Sequence, residues 1–317
     1  MKKRSVAVFS ALTCTLLLSA CSASGDDKSD TNAETIQIGY AAMTTKEEFT
    51  STIINTLEDE APEFGATVLA LDSRMDTSFE LSNVEDLITR QVDAVIMQPI
   101  DGKASQSAAK RVIDAGIPLF IISTEFAEGA TVDFESHIGV DDTDAGRLQG
   151  EYLNEQLPDG GDIVLIAGTN GASWTDRRIS GFENAINPNI TVVAEFQGNG
   201  NRDEAKRGME DTLQRYTDPG SIDAVVANND EMAVGAALAI AEAGRTSEFS
   251  AIVGVDGTAA ALDLIRDGKM TATVKQDPRA QAQEALNVIT DFLKGDDTED
   301  RYALPFTLIT SENLDNE

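Results

Sequence analysis

Short apolar runs alternate with longer segments of helical period along most of the chain. In the first half, apolar runs rich in β-formers occupy residues 36–41, 67–71, 94–97 and 118–123, and helical segments occupy residues 47–63, 78–90 and 103–115. The same rhythm restarts with apolar runs at residues 162–167, 191–196, 224–227, 251–255 and 271–275. Strands that alternate with helices predict parallel sheets with crossover helices. We therefore expect an α/β fold of two doubly wound, Rossmann-like lobes.

Polar residues follow nearly every predicted strand. Apolar runs such as residues 94–97 imply sheets that are covered on both faces, and in such folds ligands collect beyond the carboxyl ends of the strands. The polar positions are residues 44–48, Gln98, 123–125, 228–230, Asp256 and Gln276. Each of them also suits a helix N-cap. Convergence of these positions on one cleft would favour binding over capping.

The N-terminal segment is typical of a lipoprotein signal. Basic residues at 2–4 precede an apolar stretch at 6–18, and the small residues Ser19 and Ala20 precede Cys21. This order predicts a signal peptide at residues 1–20, lipidation of Cys21 and a polar tether at residues 21–35. A plain signal peptide or an anchor helix are the alternatives, although the apolar stretch is short for a bilayer span. We expect the protein on the extracytoplasmic face of the membrane, held only by its lipid.

Composition and chemistry narrow the function classes. A net charge of −31 argues against nucleic acid or an anionic membrane surface as partner. The second cysteine, Cys14, lies inside the predicted signal peptide, and the sole histidine, His137, has no evident nucleophile or metal partner in the sequence. No glycine-rich phosphate loop precedes a helix. We expect no catalytic residues, no metal, no cofactor and no enzymatic activity.

Three segments resemble the ribose-binding-protein family of pentose and hexose binders. They are NNDEMAVGA at 228–236, VGVDGT at 253–258 and TVKQDP at 273–278, and residues 71–73 and 136–142 fit the same pattern. The resemblance implies a type I periplasmic-binding-protein fold with three crossovers, near residues 137–140, 276 and 304. It implies one lobe at residues 36–138 plus 277–303 and another at residues 139–276 plus 304–312. The implied role is that of a monomeric substrate-binding lipoprotein that delivers a sugar or polyol to the permease of an ABC importer.

The resemblance implies which residues of the second lobe contact the ligand. Arg178 matches the arginine that reaches sugar hydroxyls, and three further residues match the family's amide and carboxylate contacts, namely Asn229, Asp256 and Gln276. These side chains suit a sugar, because a carboxylate accepts from adjacent hydroxyls and an arginine donates to two of them. The alternatives are an interlobe or surface salt bridge for Arg178 and a helix cap for Asp256.

The first lobe departs from the ribose pattern. Where the family has an Asn and two stacking aromatic residues, only Phe49 keeps an aromatic role, and where it has an Asp-Arg pair, this chain has Ser123 and Thr124, followed by Glu125. Trp174 can stack on the carbon face of a ligand, or it can be wedged into a lobe surface. We interpret Glu47 and Glu48 as first-turn glutamates of a helix. Inositol-like or linear polyols are therefore expected ahead of ribose.

Two other function classes remain open from the sequence. One is a sensory module that presents its ligand to a receptor, and the other is a surface carbohydrate enzyme on the same fold. For the binding function, we expect Asp256→Asn and Arg178→Ala to weaken ligand binding severely while leaving the unliganded fold intact.

Overall fold

The computed structural model describes residues 35–316. The predicted signal peptide, the lipidation site Cys21 and nearly all of the predicted tether lie outside the described residues. Within residues 35–316, no helix combines the length and the apolar character needed to cross a membrane.

Strands and helices alternate through this part of the chain. The helices are α1 (Glu48–Glu60), α2 (Thr77–Thr89), α3 (Gln106–Asp114), α4 (Asp142–Gln156), α5 (Ser173–Ala185), α6 (Arg202–Arg215), α7 (Asp230–Glu242), α8 (Ala259–Arg266) and α9 (Pro278–Lys294). The strands are β1 (Ile36–Ala42), β2 (Ala66–Asp72), β3 (Ala94–Met97), β4 (Leu119–Ile122), β5 (Ser136–Gly139), β6 (Gly161–Ala167), β7 (Ile190–Gln197), β8 (Ala224–Ala227), β9 (Ala251–Asp256), β10 (Ala272–Lys275), β11 (Arg301–Ala303) and β12 (Thr307–Thr310).

The first lobe is a parallel sheet with helices on both faces. Its strand order is β11-β5-β4-β3-β1-β2. Successive side chains of β3 point to opposite faces, so that Ile96 packs with α1 and α9 while Met97 packs with α2 and α3. Both side chains are fully buried. This arrangement explains why the strands read as continuous apolar runs.

The second lobe repeats this design. Its strand order is β12-β10-β9-β8-β6-β7, and every pair is parallel except β10 with β12. Val225 of β8 packs with α6, α7 and α8 on one face, and Val226 packs with α4 and α5 on the other. Together the lobes confirm the predicted α/β class with two doubly wound sheets.

The chain passes between the two sheets three times. It leaves the first sheet after β5, returns after β10 to place α9 against α1, and leaves again between β11 and β12. The apolar pattern did not predict β5, β11 and β12 as strands. These strands have three or four residues each and lie at or next to a sheet edge, and all three contain exposed or polar positions. They matter here because they carry the connections that allow one lobe to move against the other.

Candidate functional site

The polar junctions of both sheets converge on one cavity between the lobes. The cavity has about 440 Å³ of space outside the protein atoms, a volume that includes space open to solvent. Its lining comes from both lobes: Met43, Glu47, Phe49, Thr50, Met75, Gln98, Ser123 and Thr124 from the first, and Thr169, Trp174, Arg178, Gly200, Asn229, Asp256 and Gln276 from the second. Eight of the nine ligand contacts predicted from the sequence are therefore brought together.

Arg178 is the centre of a buried network in the second lobe. Its Nε donates to Oδ1 of Asp142 at 2.8 Å, and its Nη1 donates to the carbonyl oxygen of Asn228 at 2.6 Å. Nη1 also lies 3.8 Å from Oδ1 of Asp256. Both Arg178 and Asp142 are at most 5% exposed, so the pair is neither a surface nor an interlobe salt bridge. The network fixes the guanidinium at the cavity wall before any ligand arrives.

Asp256 is held in an uncommon backbone conformation at the end of β9. Its φ is 126°, which costs a non-glycine residue on the order of 1–3 kcal/mol and is typical of functional sites. Gln281 donates to Gln276 at 3.0 Å, and Gln276 in turn donates to Oδ1 of Asp256 at 2.7 Å. The helix-cap alternative for Asp256 is wrong, because Thr258 caps α8.

A second carboxyl group lies behind Asp256. Asp230 is fully buried and accepts hydrogen bonds from Thr258 N at 2.8 Å and from Thr273 Oγ1 at 2.7 Å. Burial, followed by the neighbouring charge of Asp256, raises the pKa of Asp230. Burial also raises the pKa of Asp256, while Arg178 opposes that rise. The acidic groups Asp230 and Asp256 beside the cavity therefore have little positive charge near them to offset their own.

Asn229 combines the two roles that the sequence left open. Its Oδ1 accepts from Met232 N at 3.0 Å and so caps α7, while its Nδ2 lies 3.5 Å from the carbonyl oxygen of Gly200 and faces the cavity. Gly200 has a φ of 71°, a backbone conformation that residues with a side chain rarely adopt, so glycine suits this turn at the cavity wall. Capping and cavity lining are compatible at this position.

Trp174 forms one wall of the cavity at the start of α5. The guanidinium carbon of Arg178 lies 5.1 Å from the centre of its ring, within the range of a cation–π contact. Trp174 is 7% exposed, and a Cβ on Gly168 would overlap its ring. The glycine therefore permits the ring to lie against the floor of the cavity, where it can face a ligand.

The first lobe contributes fewer fixed polar contacts. Gln98 accepts from the hydroxyl of Tyr40 at 2.8 Å, which leaves its amide N–H groups for the cavity. The Thr124 hydroxyl donates to the Pro99 carbonyl oxygen at 2.9 Å. The Thr50 hydroxyl lines the cavity, is buried, and has no hydrogen-bond partner within the described chain. A ligand hydroxyl could satisfy it.

Glu47 is a cavity residue that our sequence interpretation assigned to the helix. It precedes α1 but makes no capping hydrogen bond, and its carboxylate lines the cavity. Burial, followed by the charges of Asp256 and Glu231, raises the pKa of Glu47 to about 7. Its neighbour Glu48 accepts from Ala259 N across the lobes at 3.0 Å. The position of Glu47 before a predicted helix did not indicate that this helix begins at the cleft between the lobes.

Glu125 is the one predicted contact that the structure places elsewhere. Its two carboxylate oxygens pair with Arg177 at 2.9 Å and with Arg301 at 2.8 Å, and it does not line the cavity. Arg301 also donates to the carbonyl oxygen of Val140, where the chain leaves the first lobe. Glu125 therefore joins the lobes beside the crossovers. This pairing is not predictable from local sequence, because Arg301 lies far from Glu125 along the chain.

His137 lies buried in β5. Burial, followed by the charge of Arg301, lowers its pKa to about 4, and its Nε2 lies 3.2 Å from the carbonyl oxygen of Ser123. Residues 35–316 contain no cluster of three His, Cys, Asp or Glu side chains that could hold a metal ion.

Comparison with known proteins gives consistent relatives along nearly the whole chain. The family described as periplasmic binding protein domain matches residues 38–297. Ribose import binding protein RbsB of Bacillus subtilis is 31% identical, with 98% of this chain and 100% of the relative covered. The xylitol-binding protein of Mycolicibacterium smegmatis is 32% identical over 76% of this chain and 67% of the relative. An ABC transporter solute-binding protein from Bacillus halodurans with bound myo-inositol has a TM-score of 0.83 and 31% identity, covering 89% of this chain and 96% of that one.

Proposed function

This chain belongs to the periplasmic binding protein family, among the sugar-binding proteins related to ribose import binding proteins, and we propose that it captures a sugar or polyol for import. Members of the family are substrate-binding transport proteins rather than enzymes. The observation that carries the proposal is the convergence of strand-end polar residues from both lobes on one cavity between the sheets. Arg178, Asn229, Asp256 and Gln276 form the fixed half of that site.

The proposed ligand is polyhydroxylated and of pentose, hexose or inositol size. Relatives of comparable identity are named for ribose and xylitol, and a related structure contains myo-inositol. The cavity offers both donors and acceptors, as alternating ligand hydroxyls require. Because Ser123 and Thr124 bring no charge where the ribose pattern has an Asp-Arg pair, inositol-like and linear polyols are proposed ahead of ribose.

We also propose how the protein works in the cell envelope. Cys21 would carry the lipid, residues 21–35 would act as the tether, and the liganded monomer would dock on the permease of an ABC importer from the extracytoplasmic side. The lobes would divide at residues 36–138 plus 277–303 and 139–276 plus 304–312. The three passages of the chain between the sheets support a hinge that closes on ligand.

A ligand panel tests the binding function. Melting of the protein is followed with xylitol, sorbitol, myo-inositol, ribose and glucose, because a ligand at 100 times its Kd stabilises the native state by about 2.7 kcal/mol. Positive ligands are then titrated by calorimetry against the wild type and Asp256→Asn. Asp263→Asn is the matched control, because Asp263 is exposed on α8 and pairs with Arg266. Absence of binding by every sugar and polyol would refute the proposal.

A further inference from the structure

More negative than positive groups line the cavity. They are the carboxylates of Glu47 and Asp256 and the guanidinium of Arg178. The guanidinium of Arg178 already forms an ion pair, because its Nε lies 2.8 Å from the buried carboxylate of Asp142. The carboxyl group of Asp230 lies behind Asp256 and adds a further acid. A single cation thus faces four acidic groups around the cavity.

Nearby cations do not correct this imbalance. Arg202 makes a two-pronged contact with Glu231, at 2.8 and 3.0 Å. Lys46 and Arg74 line the neighbouring outer cleft, which Glu47 also borders, together with Glu48, Asp203 and Glu204. Lys275 and Arg279 line a further cleft beside Asp256. None of these four cations lines the cavity itself. The positions after β4 are the neutral Ser123 and Thr124. Within the described chain, the cavity is therefore left with acidic groups from both lobes.

Glu47 and Asp256 approach the cavity from opposite lobes. Glu47 precedes α1 in the first lobe, and its Oε1 would lie 3.9 Å from a Cβ on Gly200 of the second lobe. The Glu47 carboxylate accepts no hydrogen bond from the described chain, and burial raises the pKa of both Glu47 and Asp256. A buried carboxylate without a partner, such as that of Glu47, is costly, and a ligand that donates both to it and to the partly satisfied carboxylate of Asp256 would relieve that cost.

We propose that the natural ligand carries a protonated amine, as in an aminocyclitol, an amino sugar or an amino polyol, and that Glu47 and Asp256 bind this ammonium group. The inference rests on the proposed function and names the ligand class of the same site. An ammonium group has three donors and no acceptor, which suits carboxylates on two walls. The remaining ligand hydroxyls would face Gln98, Asn229 and the unpartnered hydroxyl of Thr50.

Matched ligand pairs test the inference on the intact protein. Calorimetry at pH 8 compares xylitol with 1-amino-1-deoxyxylitol, sorbitol with 1-amino-1-deoxysorbitol, and myo-inositol with an aminocyclitol in which an amine replaces one hydroxyl. In at least one pair we expect the amine to bind tenfold or more tightly than its hydroxyl counterpart. We expect Glu47→Gln to reduce that ratio about tenfold or more. Glu58→Gln, on the exposed face of α1, removes the same charge and should leave the ratio unchanged.

The pH dependence gives an independent readout. Because the pKa of Glu47 is about 7 in the free protein, an amine bound at pH 6 should displace about one proton from Glu47 and a further fraction from Asp256, whose pKa is also raised by burial. The affinity should therefore rise from pH 6 to pH 8. Titrations in two buffers of different ionisation enthalpy count these protons, and Glu47→Gln should lower the count by about one.

The outcomes separate the inference from the function on which it rests. Binding of a neutral polyol with equal or weaker binding of its amine refutes the inference and leaves the polyol function standing. Equal loss of both ligands in Glu47→Gln also refutes it. If no amine of any pair binds, the inference fails, and if no sugar or polyol of the ligand panel binds either, the proposed function fails with it.

Discussion

Removing the Arg178 guanidinium should destabilise the second lobe as well as weaken ligand binding. In Arg178→Met, Asp142 and the carbonyl oxygen of Asn228 lose their donors, and Asp256 loses its nearest cation. Breaking a buried ion pair by removing one partner costs about 3–5 kcal/mol, because the remaining charge stays buried. The structure thus changes the expectation that substitution of Arg178 leaves the unliganded fold intact.

The size of this loss should depend on pH. Burial already raises the pKa of Asp142 although Arg178 opposes the rise, so removal of Arg178 should raise that pKa further. A carboxyl group whose folded pKa lies above its unfolded pKa stabilises the fold most when it is protonated. The destabilisation of Arg178→Met should therefore be smallest near pH 4 and should grow as the pH rises toward 8.

Urea unfolding at pH 5 and pH 8 measures both effects in a double-mutant cycle with Asp142→Asn. We expect Asp142→Asn to recover part of the loss in Arg178→Met, with a coupling energy of about 2–3 kcal/mol. Arg177→Met is the control from the same helix, because the Arg177 side chain is 31% exposed and its ion pairs should contribute about 1 kcal/mol or less. A loss below about 1 kcal/mol in Arg178→Met, or additive losses in the double variant, would refute the reasoning.

Three further predictions concern other parts of the molecule. Asp256→Asn should weaken ligand binding by about thirtyfold or more in calorimetry, since it removes a buried charged partner of Arg178 and the ligand. Cys21→Ala should move the protein from the membrane to the soluble fraction after cell fractionation. Burial raises the pKa of Glu80 from 4.5 to about 7, so wild-type stability should fall between these pH values. Glu80→Gln should gain on the order of 2–3 kcal/mol relative to wild type in urea unfolding between pH 5 and pH 8.

The apolar pattern predicted the strands that can be recognised from their own residues. Strands such as β3 and β8 are buried on both faces, so every residue in them is apolar and the run is visible in the sequence. By contrast, β11 and β12 are short pieces whose pairing depends on where the chain crosses between lobes. Their side chains include exposed positions, and no local periodicity marks them.

The site was predictable wherever a polar residue directly follows a strand. Their position at the carboxyl ends of the strands was enough to predict the site residues Gln98, Asn229, Asp256 and Gln276. Glu47 and Glu125 were assigned the wrong surroundings because their environments depend on the facing lobe. Glu47 faces Gly200 of the second lobe across the cleft, and Glu125 pairs with two arginines outside the cavity.

The two halves of the cavity differ in how much of their geometry exists without a ligand. In the second lobe, Gln276 holds Asp256 and Asp142 holds Arg178, and Gln281 of α9 holds Gln276 at the crossover between the lobes, so these groups are fixed before a ligand binds. Preorganised groups retain more of their interaction energy as affinity. The first lobe instead contributes Glu47 and the Thr50 hydroxyl, which lack protein partners.

Closure of the two lobes therefore depends on the contacts that the ligand makes with the first lobe. The interlobe hydrogen bond from Ala259 N to Glu48 lies at the surface and contributes little, since exposed contacts of this kind are worth about 1 kcal/mol or less. A ligand shifts the open and closed populations only through its different affinity for the two states. Because the second lobe can present the same groups in both states, that difference must come from contacts with Phe49, Glu47 and Gln98. Selectivity among polyols should consequently follow substitutions in the first lobe, whereas substitutions in the second lobe should weaken all ligands alike.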